Sequence, residues 1–363
     1  MISTTDPRII VLIPAHNEQD SITATIVSLQ DQTSPPDDII VICDNCTDGT
    51  ARTAVRLGTQ VFVTTDNIDM KAGALNQALE KVLPLLDADD LVMVMDADSA
   101  VDPCFIATAL IELTIRRPRV GAVGGVFYGE PGFGLVGALQ RSEYARYGRE
   151  VARKNAAAFV LTGTATILPV HVLRQVSAAR GDTLPGNKGT VYNSSALTED
   201  HELTIAVKTL GWAATSPKQC RVTTEVMPTW NALWHQRLRW QRGAVENLRV
   251  YGLTKITRPY IIKQVAMHLG ILAVVLFLAS MVLFGFLGYL SAPTGLWWAL
   301  PILFITERVV TVRKQGWRAM LIAAPILIEF AYDIFQQAIY LSAAWNILTR
   351  RDATWHHANT PSN

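Results

Sequence analysis

From Gln264 to Thr306 the chain carries no Asp, Glu, Lys or Arg. Such a run has to be kept from water on every side. Val265–Leu290 alone would make a helix of roughly 39 Å at about 1.5 Å per residue, longer than the about 30 Å of a bilayer's hydrocarbon core. The run therefore reads as a membrane span and not as the core helix of a soluble domain. A second apolar stretch, Leu296–Thr306, follows Ser291-Ala292-Pro293 and Gly295 and runs into Glu307, Arg308, Arg313, Lys314 and Arg318. A third, Ala319–Leu348, is interrupted by Pro325, Glu329 and Asp333. Its carboxylates leave a protein-facing or interfacial helix as open as a clean span.

The charge divides the same way. Up to Glu225 there are 19 Lys and Arg against 26 Asp and Glu, and beyond it 13 against 5, so a body of net charge −7 is joined to one of +8. With 50% hydrophobic residues the 363-residue chain is too apolar for disorder, and nothing in it points to nucleic acid. The polar start, Met1–Arg8, leads straight into an apolar strand and predicts neither signal peptide nor leading anchor. Arg237, Arg239, Arg242, Arg249, Lys255, Arg258 and Lys263 precede the first span, and Arg308–Arg318 follow the second, which places both flanks and the first body on the cytoplasmic side. Arg350 and Arg351 favour that side as well, whereas three full spans would put them outside, so one apolar segment is expected not to cross. Cys43, Cys46, Cys104 and Cys220 read as reduced thiols; Cys43-x-x-Cys46 has no second pair or nearby His to complete a zinc site.

The acidic body alternates short apolar runs with helical patterns. Arg8–Pro14, Ile39–Cys43, Val61–Val63 and Leu91–Met95 read as strands; Gln19–Gln32, Thr50–Leu57 and Lys71–Leu83 read as helices. Strands that are apolar throughout belong to a mostly parallel sheet covered on both faces, the doubly wound, Rossmann-like α/β class. A short linker is expected near Arg221–Pro228.

In such sheets ligands bind beyond the carboxyl ends of the strands. Those ends carry Pro14-Ala15-His16-Asn17-Glu18, Asp44-Asn45-Cys46-Thr47-Asp48-Gly49 and Asp96-Ala97-Asp98. Each alone is an ordinary strand-to-helix turn; three on one rim make a site. Two residues apart on extended backbone, Asp96 and Asp98 point to one side, and paired hard oxygens suit Mg2+ or Mn2+ shared with a diphosphate. Lys71 opens a helix, where an anion is favoured twice over. Thr198-Glu199-Asp200 starts another helix: it reads as a cap with acidic first-turn residues, or as a site in which Asp200 is a general base. Gln236-Arg237-Leu238-Arg239-Trp240 precedes the first span, where Trp and Arg commonly anchor at a bilayer surface.

Taken in order, Pro14–Glu18, Asp44, Lys71-Ala72-Gly73, Asp96-x-Asp98, Thr198-Glu199-Asp200 and Gln236-x-x-Arg239-Trp240 resemble the family 2 inverting glycosyltransferases. The resemblance covers about residues 8–245 and is to the membrane-integrated branch with the cellulose, chitin, hyaluronan and poly-N-acetylglucosamine synthases. It implies a GT-A catalytic domain over residues 1–225, amphipathic interface helices over 226–263, transmembrane or interfacial helices over 264–348 and a cytosolic tail over 349–363. It implies a UDP-sugar donor, a glycan or lipid acceptor, membrane lipids as surroundings and a location in the cell membrane. Pro14, Ala15, Asn17, Glu18 and Asp44 would hold the nucleotide, with Lys71 close by. Asp96 and Asp98 would take the diphosphate and metal, Gln236 and Arg239 would close over the diphosphate, and Gly163, Thr164, Glu199 and Trp240 would face the acceptor.

Many polymer synthases of this branch carry spans ahead of the catalytic domain, whereas this chain opens on the first strand. Thr349–His357 is similar to the tail segment that folds over the active site in related synthases. Single-sugar transfer to a polyprenyl phosphate or other lipid, and an inactive nucleotide-sensing or transport subunit, stand as alternatives. The Gln236-x-x-Arg239-Trp240 string opposes the first and the intact Asp96, Asp98 and Asp200 the second.

Overall fold

The computed structural model describes residues 7–116, 119–289 and 299–350. The chain forms two compact units. One contains the residues up to Pro131 together with Tyr147–Val226; the other contains Gly132–Arg146 together with the residues from Met227 on.

The first unit runs β1 (Ile9–Ala15), α1 (Ile22–Gln30), β2 (Asp38–Cys43), α2 (Thr50–Arg56), β3 (Gln60–Val63), α3 (Met70–Val82), β4 (Leu91–Met95), β5 (Ser99–Val101), α4 (Phe105–Ile111), β6 (Val120–Gly124) and β7 (Val126–Gly129). Then come α5 (Gly134–Arg153), whose first part belongs to the second unit, β8 (Ala165–Pro169), α6 (Val170–Ala179), α7 (Glu199–Thr209), β9 (Ala213–Thr215) and β10 (Arg221–Thr224). Seven strands make the main sheet in the order β3-β2-β1-β4-β8-β6-β9. β1 pairs in parallel with both β2 and β4, so the strand order reverses beside β1 and opens a crevice at the carboxyl ends of these strands. Every residue of β4 is buried, as are Val11, Ile13 and Ile167. That is why these strands lack polar alternation. Helix α1 covers the sheet with Ile22, Ile26 and Leu29, spaced to share one face.

Two features depart from the sequence reading. β8 enters the main sheet antiparallel between β4 and β6. Arg221–Pro228 is not a plain linker: Arg221–Thr224 form the middle strand of a second sheet, β5-β10-β7. Their burial alternates exposed, buried, exposed, buried, which is the period of a half-buried strand.

The loop between α6 and α7 is held by a buried ion pair. Arg180 and Glu202, both essentially without solvent contact, meet through two hydrogen bonds of 2.5 and 2.7 Å. The same guanidinium donates to the carbonyls of Pro185 (2.7 Å) and Val191 (2.6 Å). Burying two charges is tolerable here because each nitrogen of the guanidinium is answered by a carbonyl or a carboxylate oxygen.

The second unit adds α8 (Trp230–Tyr251), α9 (Arg258–Phe286), α10 (Ala299–Val312), α11 (Trp317–Ala323) and α12 (Ile326–Leu348). Among the described residues α9 is the one single helix long and apolar enough to cross a membrane, with mean hydropathy 2.7 and only 6% of that window buried. Leu269, Leu276, Phe277 and Val282 all stand more than half exposed on it. The carboxylates of α12 face protein partners. Glu329 lies 3.2 Å from Arg146 and 3.4 Å from Arg308, and Asp333 lies 2.7 Å from Arg308. Glu143 of α5 accepts from Tyr332 (2.7 Å), Gln336 (3.1 Å) and Arg237 (3.2 Å). Residues 290–298, with the start of the second apolar stretch, and residues 351–363, with most of the 349–363 segment, lie outside the described residues. The four cysteines are free thiols.

Removing one member of the Arg180–Glu202 pair leaves a lone buried charge, so Arg180→Met or Glu202→Leu should each destabilise the first unit by about 3–5 kcal/mol. The double variant, apolar on both sides, should recover most of that. Thermal unfolding of the whole chain and the three variants checks both statements.

Candidate active site

The loops after β1 and β2 are laced together. Asn17, in the left-handed region at φ 58°, accepts at Oδ1 from the Thr47 amide (2.8 Å). His16 Nδ1 donates to the Asp44 carbonyl (2.7 Å), and the Gln19 amide donates to Asp48 (3.1 Å). Asp44 is only 8% exposed, and its Oδ1 accepts from Thr64 (2.8 Å), Asn67 (2.8 Å) and Asn45 (3.3 Å). Pro14 and Ala15 are the last residues of β1 and pair with Ile42 and Cys43 of β2.

Beside this rim stands a concentration of carboxylates. Asp96 and Asp98 follow β4 directly, and the Asp96 amide donates to the Thr164 carbonyl just before β8 (3.2 Å). Removal from water, then Asp96, Glu225 and Glu18 in turn, push Asp98 up to about 7, against a lowering contact from Ser99. Glu18 is likewise raised, chiefly by burial, although its bond from Ser21 (2.6 Å) lowers it. Like charges this close hold on to protons unless a cation compensates them. Lys71 supplies one such cation: its Nζ lies 2.5 Å from Asp96 Oδ1 and 2.9 Å from Glu199 Oε1. Those two carboxylates hold the ammonium well above its usual range in spite of burial.

Asp200 completes the site from the first turn of α7. Its Oδ2 accepts from the Gly163 amide (3.0 Å) and its Oδ1 from its neighbour His201 (2.7 Å). Burial first, then Glu199, pushes it up to about 6, opposed by Lys71 and the two amides. Gly163 is where the elements meet. A Cβ there would lie 3.0 Å from Lys71 Nζ, 3.5 Å from Asp200 and 3.6 Å from Asp96, so a side chain would crowd the centre of the site. A small cleft opens here, with Lys71, Gly163, Tyr192, Glu199 and Asp200 on its wall and Leu75, Val94, Leu161 and Leu203 as its apolar part.

Lys71, Asp96, Gly163, Thr164, Glu199 and Asp200 are thus brought together by the fold, with Glu18 and Asp98 in the same electrostatic cluster. Gln236, Arg239 and Trp240 sit on one stretch of α8 in the second unit. There the Arg237 guanidinium stacks 4.2 Å over the Trp240 ring and donates to Gln236 (2.5 Å). The residues not anticipated from sequence are Thr64 and Asn67, which hold Asp44, and Glu225 and Tyr192. Thr64 stands at the carboxyl end of β3, so the strand-end rule applied there would have found it. Tyr192 lies in a loop with no such signal.

Among the described residues no three His, Cys, Asp or Glu side chains converge as a self-sufficient metal cage. Asp96 and Asp98 provide two hard-oxygen donors in an acidic cluster whose proton affinity is raised. That donor set fits a divalent ion that takes its remaining ligands from a phosphate or water.

Over 243 residues, 65% of its length, this chain is 27% identical to the poly-beta-1,6-N-acetyl-D-glucosamine synthase of Staphylococcus aureus strain MSSA476. It is 25% identical over 246 residues to the enzyme of that name from Staphylococcus epidermidis. These matches take in 54% of each relative, so the chain spans about half the length of the curated relatives it matches. Among solved structures, a mannosyltransferase from Pyrobaculum calidifontis in complex with GDP-Man and Mn2+ shares the fold, with TM-score 0.60 at 19% identity over 96% of this chain and 89% of that one. The family model described as "Glycosyltransferase like family 2" matches residues 7–243, from the first strand to just past Trp240, and the chain belongs to that family.

Proposed function

We propose that the protein is a membrane-integrated inverting glycosyltransferase. It transfers a hexosyl group of glucose or N-acetylglucosamine type from a UDP-sugar to a glycan or glycolipid acceptor and leaves a β-glycoside. The observation that carries this reading is the convergence on Gly163 of a desolvated carboxylate, Asp200, and the Lys71–Asp96 pair. The names of the staphylococcal relatives support a β-linked amino-sugar product.

An acceptor hydroxyl becomes a competent nucleophile when a carboxylate takes its proton. Asp200 is raised enough to accept one and is held in place by two amides. The oxygen then attacks the anomeric carbon from the face opposite the diphosphate, the bond to the diphosphate breaks, and the configuration inverts. Pro14, Ala15, Asn17, Glu18 and Asp44 hold the nucleotide end, and Lys71 at the start of α3 places positive charge beside the leaving group. Asp98 and Asp96 would hold a divalent cation, Mg2+ or Mn2+, whose charge offsets that of the diphosphate. On the resemblance alone, Gln236 and Arg239 also serve the diphosphate, while Gly163, Thr164, Glu199 and Trp240 serve the acceptor. In this reading α9 is a membrane span with its basic flank, Arg249 to Lys263, on the cytoplasmic side. The charge pairs of α12 favour it as the segment that packs against protein instead of lipid.

Asp200→Asn keeps the shape but cannot take the proton, so turnover should fall by about 10²-fold or more, with UDP binding retained; near-normal turnover would remove Asp200 from the mechanism. In the wild type the base works ionised, so the rate should rise with pH through about 6 and level off above it. A pH–rate profile that is flat between 5 and 7 would contradict this role. Chelation with EDTA should abolish transfer and added Mg2+ or Mn2+ restore it, as measured by release of UDP from purified protein. Full activity in thoroughly chelated samples would sink the metal assignment.

A further inference from the structure

Tyr192, one of the residues lining the cleft, carries a hydroxyl that makes no hydrogen bond to another described residue. Thr162 Oγ1 is engaged with the Gly125 carbonyl (3.3 Å) and Thr164 (2.9 Å), and Thr166 Oγ1 donates to the Thr162 carbonyl (2.9 Å). The Tyr192 side chain, in a residue only 4% exposed, has no hydrogen-bond partner among the described residues. That hydroxyl is not among the fully buried unpartnered side-chain atoms, so it retains contact with water, and on a cleft wall a ligand's hydroxyl can take that water's place.

Chance placement is a poor explanation, because the backbone beneath this side chain is fixed from two directions. Asn76 of α3 accepts from the amides of Val191 (3.1 Å) and Tyr192 (2.9 Å) and donates to the Tyr192 carbonyl (2.9 Å). Arg180 holds the Val191 carbonyl. The amides and carbonyls of Val191 and Tyr192 are thus all tied, and Tyr192 lines the cleft with Lys71 and Asp200. Burial, with Glu199, Asp200 and Asp96 nearby, holds it well above its usual range in spite of Lys71, so it is a neutral donor.

The chemistry of the neighbours identifies what it donates to. The nucleotide-end contacts gather around Asp44, at the ends of β1, β2 and β3. Tyr192 instead lines the cleft together with Lys71 and Asp200, the groups between which the sugar passes if the proposed function holds. Leu75, Val94, Leu161 and Leu203 give that cleft the apolar surface that suits the C–H face of a pyranose. We propose that Tyr192 hydrogen-bonds a hydroxyl of the hexosyl group of the nucleotide-sugar donor and so helps determine which sugar is transferred. This rests on the reading of the site as a sugar-transfer site. A pocket built to satisfy a polar group discriminates strongly against analogues that lack its partner.

The test uses the whole chain in detergent with Mg2+, titrated with UDP, UDP-glucose, UDP-N-acetylglucosamine and the mono-deoxy analogues of both sugars. Tyr192→Phe should leave UDP affinity within twofold of wild type and weaken the preferred UDP-sugar by about 10-fold. One mono-deoxy donor should bind wild type about 10-fold more weakly than its parent and should be indifferent to Tyr192→Phe, because the same bond is already missing. Equal binding of the intact UDP-sugar by variant and wild type overturns the proposal. So does an equal loss for UDP, or an effect confined to the acceptor's KM. The deoxy series on the wild type stands on its own if the variant folds poorly: tolerance of every mono-deoxy donor also overturns it. A wild type that binds neither UDP nor either UDP-sugar would defeat the sugar-transfer reading itself, which separates that failure from this one.

Discussion

A single ammonium group lets the acidic site exist. Glu18, Asp96, Asp98, Glu199, Asp200 and Glu225 arrive from the ends of different elements, and each resists the ionisation of its neighbours. Lys71 binds Asp96 and Glu199 at once and thereby ties the loop after β4 to the first turn of α7. Its own position is set by α3, whose buried residues Ala72, Ala74, Leu75, Ala78 and Leu79 pack into the domain. Sheet, helix and charge cluster are therefore one construction: the apolar face of α3 places the lysine, and the lysine makes the carboxylates compatible.

Most of this first unit was legible because its signals are local. An apolar run such as Leu91–Met95 followed at once by Asp96-Ala97-Asp98 carries both the strand and the site at its end, and the helices announce themselves by their spacing. The illegible parts depend on contacts distant in sequence. No pattern around residue 180 shows that Arg180 pairs with Glu202. Nor does any show that Asn76 fastens the loop bearing Tyr192, because each needs a partner whose distance in the fold is unknown until the chain is folded. The antiparallel entry of β8 is of this kind too, since an apolar strand reads the same in either direction. The short β10 was hidden differently: four residues are too few for alternation to stand out against a linker.

In the second unit, composition and geometry answer different questions. Hydropathy singles out α9, which carries exposed apolar side chains at nearly every turn from Val265 on. For α12 hydropathy is ambiguous, and the ambiguity has a physical origin. Glu329 and Asp333 carry charge that opposes lipid, yet Arg146 and Arg308 neutralise it from α5 and α10. Neither partner lies within the same helix, so no window along the sequence can see the compensation. The return of residues 132–146 to this unit, which supplies Arg146 and Glu143, was equally invisible.

The Arg180–Glu202 pair has a consequence for how this chain can diverge. Either residue exchanged alone strands a charge in the core, while an exchange of both for apolar side chains closes the gap. Lineages that differ at one position should therefore differ at the other, with few surviving intermediates between. Because the same guanidinium holds the loop of Tyr192, such a paired replacement would also loosen that loop. Drift at a site remote from any substrate could then open a route to a new sugar preference, with inherited coupling in the core acting as a brake on the evolution of specificity.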